Sequence, residues 1–171
     1  LEKRKNHEKI LMSIKNLKTK FPNIKYVSIG SGSEENNLKA LCKKLSIEKE
    51  VFFFKNTNQN LKSALIESSN LFLMPSIVDK KSVEGFGISY IEAASFGVGS
   101  IGGKDGGASD AIIHNKTGLI CDGNELGSIY DSVISFFTDN KYKKFGDDAK
   151  QFSENFYWNK IVKNYVDLIN T

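Results

Sequence analysis

The chain has 171 residues, of which 40% are hydrophobic and 26% are charged. This length and composition are typical of one globular domain with a sizeable core, and they exclude a mainly disordered chain. No apolar run approaches the about 20 residues that a membrane-spanning helix needs, and residues 1–9 are charged and show no apolar signal segment. The two cysteines, Cys42 and Cys121, are too few for a disulfide framework. We therefore expect a cytoplasmic protein in which both thiols are reduced and either buried or idle.

The net charge of +4 is concentrated at one end of the chain. Residues 1–20 contain seven basic and two acidic side chains, so the other 151 residues have a net charge of −1. This argues against nucleic acid as a partner, because proteins that bind it usually have an extended basic surface and a reading motif. Contact between the basic first helix and the inner face of an anionic membrane stays open.

Short apolar strands are predicted to alternate with amphipathic helices along the chain. Pro22-Asn23 ends the first helix, and Ser33 is the predicted N-cap of the second. The predicted strands are 24–29, 51–54, 71–74, 98–101 and 117–121. The predicted helices are 7–20, 33–45, 58–69, 90–96, 109–113, 125–137, 141–152 and 158–169.

This alternation predicts a Rossmann-like, three-layer α/β domain, in which helices cover both faces of a parallel sheet. In such open sheets, ligands bind beyond the carboxyl ends of the strands. Those ends hold the glycine-rich turns, Pro75-Ser76, Glu84 and the loop that follows Ile101. The sequence therefore predicts that the functional residues lie along one edge of the sheet.

The segment Glu84–Glu92 is the most informative motif, with two carboxylates that flank seven residues across a helix start. Gly85 and Gly87 allow the backbone to approach a ligand closely, and free N–H groups at the helix start favour a phosphate. Glu92 lies about five residues into that helix, or about 7.5 Å along its axis. This is a reasonable span from a diphosphate at the helix start to the hydroxyls of a ribose. Glu84 could accept hydroxyls of a sugar beyond the phosphates. The alternative is a surface glutamate followed by a solvated helical one.

Two other glycine-rich turns are weaker signals. Gly30-Ser31-Gly32 follows a predicted strand like a phosphate-binding turn, but it lacks the third glycine of the dinucleotide fingerprint and the acid that usually follows it. A structural turn is the alternative there. Gly102–Gly107 is either a loop close to a ligand or a flexible connection. His7 and His114 have no partner at metal-ligand spacing, so we read them as surface or helix-start residues.

The motifs described above, taken together with other short stretches, occur in the chain order of a known family. The chain resembles the carboxyl-terminal half of a GT-B glycosyltransferase of family 4, a large retaining group that uses nucleotide-sugar donors. The resemblance covers essentially all 171 residues. The matching stretches are Arg4-Lys5-Asn6-His7, Ile29-Gly30-Ser31-Gly32, Val51-Phe52-Phe53, Pro75-Ser76, Glu84–Glu92 with Ala93-Ala94, Gly106-Gly107 and Thr117-Gly118-Leu119-Ile120.

The resemblance implies a role for each matching residue. Lys5 matches a basic residue that contacts the donor diphosphate, and Glu92 matches the carboxylate that binds the ribose. Glu84, together with Gly85, Phe86 and Gly87, matches the segment that holds the transferred sugar and the phosphates. Ile88 and Ser89 would offer backbone amides at the helix start. Gly30 and Gly32 would border the nucleotide, and Pro75 and Lys55 would line the base pocket.

The chain also departs from the family pattern. Asn6 and Lys55 stand where the family usually has glycine. In the family, a strand and an arginine come immediately before the position of Leu1, and an acceptor-binding domain comes before them. The resemblance therefore implies that residues 1–171 are the donor-binding half of a longer enzyme, and that this half alone transfers no sugar.

The expected enzyme is a hexosyltransferase that uses a UDP-, GDP- or ADP-linked sugar, without a metal ion. Its acceptor would be a polysaccharide or a lipid-linked glycan. Two alternatives from other classes remain. The first is a nucleotide-binding module without transfer activity. The second is a dinucleotide-dependent oxidoreductase, which the missing third glycine disfavours.

Overall fold

The computed structural model describes residues 1–169, except for the side chain of residue 164. All predicted strands and helices are present. The strands are β1 (Tyr26–Ile29), β2 (Val51–Phe54), β3 (Phe72–Met74), β4 (Ser100–Gly103) and β5 (Gly118–Cys121). The helices are α1 (His7–Leu17), α2 (Glu35–Leu45), α3 (Gln59–Glu67), α4 (Ile88–Ser95), α5 (Ala108–Ala111), α6 (Leu126–Phe137), α7 (Lys141–Ser153) and α8 (Trp158–Ile169). Short 3₁₀ turns occupy Lys3–Lys5, Thr138–Asn140 and Glu154–Phe156.

Two local predictions are corrected by hydrogen bonding at helix ends. Strand β4 begins at Ser100, not at Val98, because the Val98 amide donates to Ala93 in the turn that ends α4. Helix α2 begins at Glu35 after Glu34, and Ser33 does not cap it. In contrast, the side chain of Asn58 caps α3 by accepting a hydrogen bond of 2.8 Å from the Leu61 amide.

Every strand pair is parallel, as predicted, but the strands form two sheets and not one. One sheet pairs β1 with β2, and the other has the order β3-β4-β5. Among residues 1–169, β1 and β3 form no ladder with each other. The two sheets are joined by side chains, because Ile24 and Leu73 each pack against both of the large hydrophobic clusters.

Alternate strand residues bury opposite faces of the sheet, so the predicted three layers are confirmed. In β5, Leu119 and Cys121 pack on the α6 side, whereas Ile120 packs with Tyr90 and the α5 residues. Helix α1 packs against α2 and α6 on one face, and α4 packs against α5 and α7. Cys42 and Cys121 are both buried and free, as predicted.

The first six residues connect the carboxyl ends of the two sheets. The Leu1 nitrogen donates to the Ser31 carbonyl beyond β1, and the Ile77 amide beyond β3 donates to the Arg4 carbonyl at 3.0 Å. The side-chain amide of Asn6 donates to the carbonyls of Pro75 and Gly123, at 3.0 and 2.7 Å. These bonds place both sets of strand ends along one edge of the molecule.

Among residues 1–169, no helix combines the length and apolar character that crossing a membrane requires.

Candidate functional site

The loop that follows β3 brings an acidic and a basic side chain together. Glu84 lies shortly before α4, and its Oε2 accepts a hydrogen bond from Nη1 of Arg4. Arg4 also contacts Glu2 through Nη2, at 3.1 Å. The side chains of Arg4 and Glu84 are only 15% and 14% exposed, whereas that of Glu2 is 62% exposed. Arg4 and Glu84 therefore form the largely buried ion pair of this edge, with Glu2 at its solvent side.

Gly87 gives α4 an open amino terminus. Its φ of +81° is a left-handed conformation that favours glycine, and a Cβ there would lie 2.5 Å from the Tyr90 ring. No side chain caps the helix, and Ile88 is exposed. The first N–H groups of a helix have no partner within it, so this end presents free donors and a partial positive charge.

The glycine pair after β4 supports the Glu84 segment. The Gly107 amide donates to the Glu84 carbonyl at 3.0 Å, and a Cβ on Gly107 would lie 1.6 Å from the Gly85 carbonyl oxygen. This close contact between two backbones accounts for Gly107. The loop Gly102–Gly107 is therefore packed against residues 84–86 and supports them. It is not the flexible connection that was one of the two alternatives from the sequence.

Tyr90 ties α4 to the end of β3. Its hydroxyl donates to the Met74 carbonyl at 2.5 Å, and its ring meets Phe72 edge to face. Burial raises the pKa of Tyr90, so the phenol keeps its proton and stays a donor. Beside α4, the Phe86 ring packs at 5.4 Å from the Phe156 ring. These contacts hold the helix that carries Glu92 and the loop that leads into it from Glu84.

Glu92 forms an ion pair that sequence reasoning missed. Its Oε2 lies 2.6 Å from Nζ of Lys62, which lies on α3. The side chains are 23% and 36% exposed, so the pair is partly open to solvent. Lys62 and Glu92 are 30 residues apart, and only tertiary structure brings α3 beside α4.

The turns that follow β1 and β2 form a separate group. Lys55 pairs with Glu35 at 2.8 Å, and Lys39 pairs with the same carboxylate at 2.6 Å. Hydrogen bonds from Lys39 and then Lys55 hold the pKa of Glu35 below its usual value. Gly32 lies against the backbone of Leu1, where a Cβ would be 2.2 Å from the Leu1 nitrogen. Gly30 begins this turn with its amide bonded to the Phe54 carbonyl.

The structure explains one departure from the family pattern. Asn6 stands in place of glycine and has a φ of +61°, a left-handed conformation that asparagine tolerates better than most residues. Its buried side chain bonds to Pro75 and Gly123, so this asparagine meets the backbone requirement and adds two hydrogen bonds.

The contacts unite some predicted residues more closely than others. Glu84, Gly85 and Gly87 share the α4 start, and Pro75 is linked to them through the segment that carries Lys5. Lys5 is half-buried and forms no ion pair among the described residues, whereas Arg4 contacts Glu84. Arg4 is the chain's single arginine, which is the one signal that could have singled it out.

The histidines have structural partners. Nδ1 of His7, the first residue of α1, lies 2.7 Å from the Tyr26 hydroxyl, and Nδ1 of His114 accepts from the Ile120 amide at 2.9 Å. Burial lowers the pKa of His7 to about 4, and the positive charges of the amino terminus and Lys5 add to the effect. Within residues 1–169, no group of three or more His, Cys, Asp or Glu side chains is arranged to hold a metal ion.

Comparison with known proteins identifies the family. Residues 1–155 match the family described as "Glycosyl transferases group 1". The chain belongs to this family. The predicted family resemblance is thereby confirmed, and it accounts for the order of the Glu84–Glu92 motif, the glycine pair and the last strand.

Two relatives illustrate the range of this glycosyltransferase family. The N-acetyl-α-D-glucosaminyl L-malate synthase of Bacillus anthracis is 31% identical over 82% of this chain. A GDP-mannose-dependent α-(1-6)-phosphatidylinositol monomannoside mannosyltransferase of Mycolicibacterium smegmatis is 26% identical over 80% of it. The aligned part spans 36% of the length of each relative.

A solved structure confirms the fold. The Anabaena protein HepE, crystallised with UDP and glucose, superposes with a TM-score of 0.81 over 99% of this chain and 46% of its own. At 15% sequence identity this likeness shows the fold alone. The chain therefore has the fold of roughly one half of a GT-B glycosyltransferase, and this agrees with the predicted architecture.

Proposed function

We propose that this chain is the donor-binding half of a retaining glycosyltransferase, which transfers a sugar from a nucleoside diphosphate sugar to an acceptor. The observation that carries the proposal is the open amino terminus of α4, which lies between Glu84 and Glu92. Free backbone donors and the positive end of a helix suit a diphosphate. A carboxylate on each side suits the hydroxyls of a sugar and of a ribose.

In this proposal, each end of the donor has its own contacts. The backbone amides of Ile88 and Ser89 bind the diphosphate, and Glu92 accepts the ribose hydroxyls. Glu84 accepts hydroxyls of the transferred sugar, which passes near Gly85, Phe86 and Gly87. The base would lie toward Pro75 and Lys55, beside the turn that contains Gly30 and Gly32.

The catalytic contribution of this half is electrostatic. Breaking the bond from the anomeric carbon leaves a nucleoside diphosphate with a growing negative charge. We propose that Lys5, Arg4 and the amino terminus of α4 stabilise that charge, because preorganised donors and cations act where charge develops. The contact of Arg4 with Glu84, just before α4, supports this role. We propose that these groups do the work that a divalent metal ion does in other sugar transfers.

The names of related proteins support the donor class without choosing the base. HepE was crystallised with UDP and glucose, and the mycobacterial relative is named for GDP-mannose. We therefore propose a UDP-, GDP- or ADP-linked hexose for this chain. The acceptor would be a polysaccharide or a lipid-linked glycan, and the basic face of α1 would touch the membrane in the second case.

The sheet supports the proposal that more chain takes part. Among the described residues, β1 has no ladder partner on the side away from β2, and β3 has none on the side away from β4, while residues 1–6 bond to the carboxyl ends of both sheets. A parallel strand that leads into Leu1 would fit between these edges. An acceptor-binding domain would precede that strand, so this half alone would transfer no sugar.

The first test is a thermal-shift titration of the chain with UDP, GDP, ADP and NAD. A ligand at 100 times its Kd adds about 2.7 kcal/mol of stability. We expect one nucleoside diphosphate to raise the Tm, and Glu92→Ala to abolish the rise. Glu48→Ala, which changes an exposed glutamate before β2, is the control and should bind like the wild type.

Each other outcome has a definite reading. Stabilisation by NAD alone would favour an oxidoreductase and contradict the proposal. Stabilisation that survives in Glu92→Ala would contradict the ribose role of Glu92. Binding without transfer, in a longer chain that contains the acceptor-binding domain, would favour the alternative of a nucleotide-binding module.

A further inference from the structure

The Lys62–Glu92 pair joins two helices beside the proposed nucleotide site. Nζ of Lys62 on α3 lies 2.6 Å from Oε2 of Glu92 on α4. Glu92 lies four residues beyond Ile88, about 6 Å along the axis from the open start of the helix. The pair is therefore about one helical turn from the donors that would bind the diphosphate.

The geometry of the pair leaves half of the carboxylate available. Lys62 contacts Oε2, and no hydrogen bond among the described residues involves Oε1. A carboxylate oxygen can accept two hydrogen bonds, so Oε1 and the remaining lone pair of Oε2 can serve two donors. The 2′- and 3′-hydroxyls of a ribose are two neighbouring donors of this kind.

The charge of Lys62 has a second consequence. An unpaired Glu92 carboxylate would repel a diphosphate bound one turn away, because like charges at such distances interact appreciably near a protein surface. The Lys62 ammonium neutralises the carboxylate and also limits its rotation. One side chain on α3 therefore changes both the orientation and the net charge of the group that faces the ribose.

We propose that Lys62 is a positioning residue that holds Glu92 for the ribose, and that this pair makes the site select ribonucleotides over 2′-deoxyribonucleotides. The inference rests on the proposed function, since it requires a nucleoside diphosphate at the start of α4. The inference goes beyond the Glu84–Glu92 motif in two ways. It gives a role to Lys62 on α3, and it assigns to the site a preference for ribonucleotides.

The test uses Lys62→Met, which keeps most of the side-chain stem and removes the charge. Isothermal titration would measure the Kd of the nucleoside diphosphate that the wild type binds most tightly, and of its 2′-deoxy analogue. A hydrogen bond to a charged group corresponds to about a tenfold change in affinity. We expect Lys62→Met to weaken the ribonucleotide about tenfold and to bring the two Kd values within about threefold of each other.

Two further variants separate positioning from simple structural damage. Lys62→Arg keeps the charge and the donor, so it should retain the wild-type preference for the ribonucleotide that Lys62→Met loses. Lys18→Met breaks a comparable ion pair elsewhere, in which Lys18 and Glu50 are 3.0 Å apart and their side chains are 34% and 12% exposed. We expect this control to lower the Tm while leaving both Kd values unchanged.

The contrary outcomes are distinct. An unchanged ratio of the two Kd values in Lys62→Met would overturn the inference and leave the proposed function standing. Tighter ribonucleotide binding in Lys62→Met would show that Lys62 competes with the ribose, which also overturns it. Absence of any nucleoside diphosphate binding in the wild type would overturn the proposed function, and the inference with it.

Discussion

Single residues at the edge of the sheets are held by partners from distant parts of the sequence. Glu84 contacts Arg4, Glu92 contacts Lys62, and Glu35 contacts Lys55. Each of these carboxylates thus has a cation beside it, and for Glu84 and Glu92 the cation moderates the negative charge near the start of α4, where we propose that a diphosphate binds. The sequence motif indicated Glu84 and Glu92 but not Glu35, and the partners of all three became visible only in the folded chain.

His7 makes a prediction about stability and pH. Its pKa is about 4 in the folded chain, compared with 6.5 for an ordinary histidine. Between these values the unfolded chain binds more protons, so stability is complete above about pH 6.5 and falls as the pH drops toward 4. We expect the titration of His7 to lower the free energy of unfolding by about 3 kcal/mol as the pH falls from about 6.5 to about 4.

Urea unfolding between pH 4 and pH 8 would measure this loss. His7→Gln removes the titration and should flatten the profile, whereas His114→Gln, which changes the chain's other and exposed histidine, is the control and should keep the wild-type slope. A profile for His7→Gln that is as steep as that of the wild type would contradict the assignment.

At the scale of elements, the start of α4 depends on a glycine in a left-handed conformation. Gly87 has a φ of +81°, and an added Cβ would overlap the Tyr90 ring, whose hydroxyl anchors the helix to β3. The ring is fixed by that hydrogen bond and by Phe72, so it cannot move aside at low cost. The open amino terminus and the packing of α4 are therefore produced by the same residue.

We expect Gly87→Ala to lower the free energy of unfolding by about 2 kcal/mol, since a left-handed alanine and a steric overlap both oppose the native state. Gly127→Ala is the matched control, because Gly127 lies near the start of α6 and a Cβ there meets open space. It should be neutral or stabilise by about 0.5 kcal/mol. Urea unfolding of both variants measures the difference, and equal stabilities would contradict the prediction.

At the scale of the whole molecule, the two sheets have their carboxyl ends along one edge, but within residues 1–169 no strand of one forms a ladder with a strand of the other. Residues 1–6, together with the side chains of Ile24 and Leu73, connect them. In a parallel pair, alternate amides point toward opposite neighbours. The amides of Tyr26 and Gly30 donate to the β2 side, so those of Val27 and Ile29 point away from β2.

Amide hydrogen exchange followed by NMR tests this division. We expect Val27 and Ile29 to exchange faster than Tyr26 and Gly30, because only the second pair donates within a ladder. A longer chain with the proposed preceding strand should slow the exchange of Val27 and Ile29 selectively. Equal protection of all four amides in the present chain would contradict the separation into two sheets.

The predictions from sequence succeeded where the signal is local. The alternation of short apolar strands and amphipathic helices predicted every strand and α-helix and the parallel three-layer class, but not the three short 3₁₀ turns. The boundaries shifted where a tertiary or capping bond decided them, as when Val98 joined the turn after α4 and Ser33 did not cap α2. The division into two sheets was not predictable, because strand periodicity reports burial and does not specify which strands are neighbours.

The sequence by itself determined the family, the α/β class and the two carboxylates of the Glu84–Glu92 motif, since these depend on residue types at short spacing. Only the tertiary structure decided that Arg4 meets Glu84, that Lys62 meets Glu92 and that Gly107 supports residues 84–86. Such contacts join residues about 20 to 80 positions apart. No spacing rule describes them, because they arise from how the elements pack against one another.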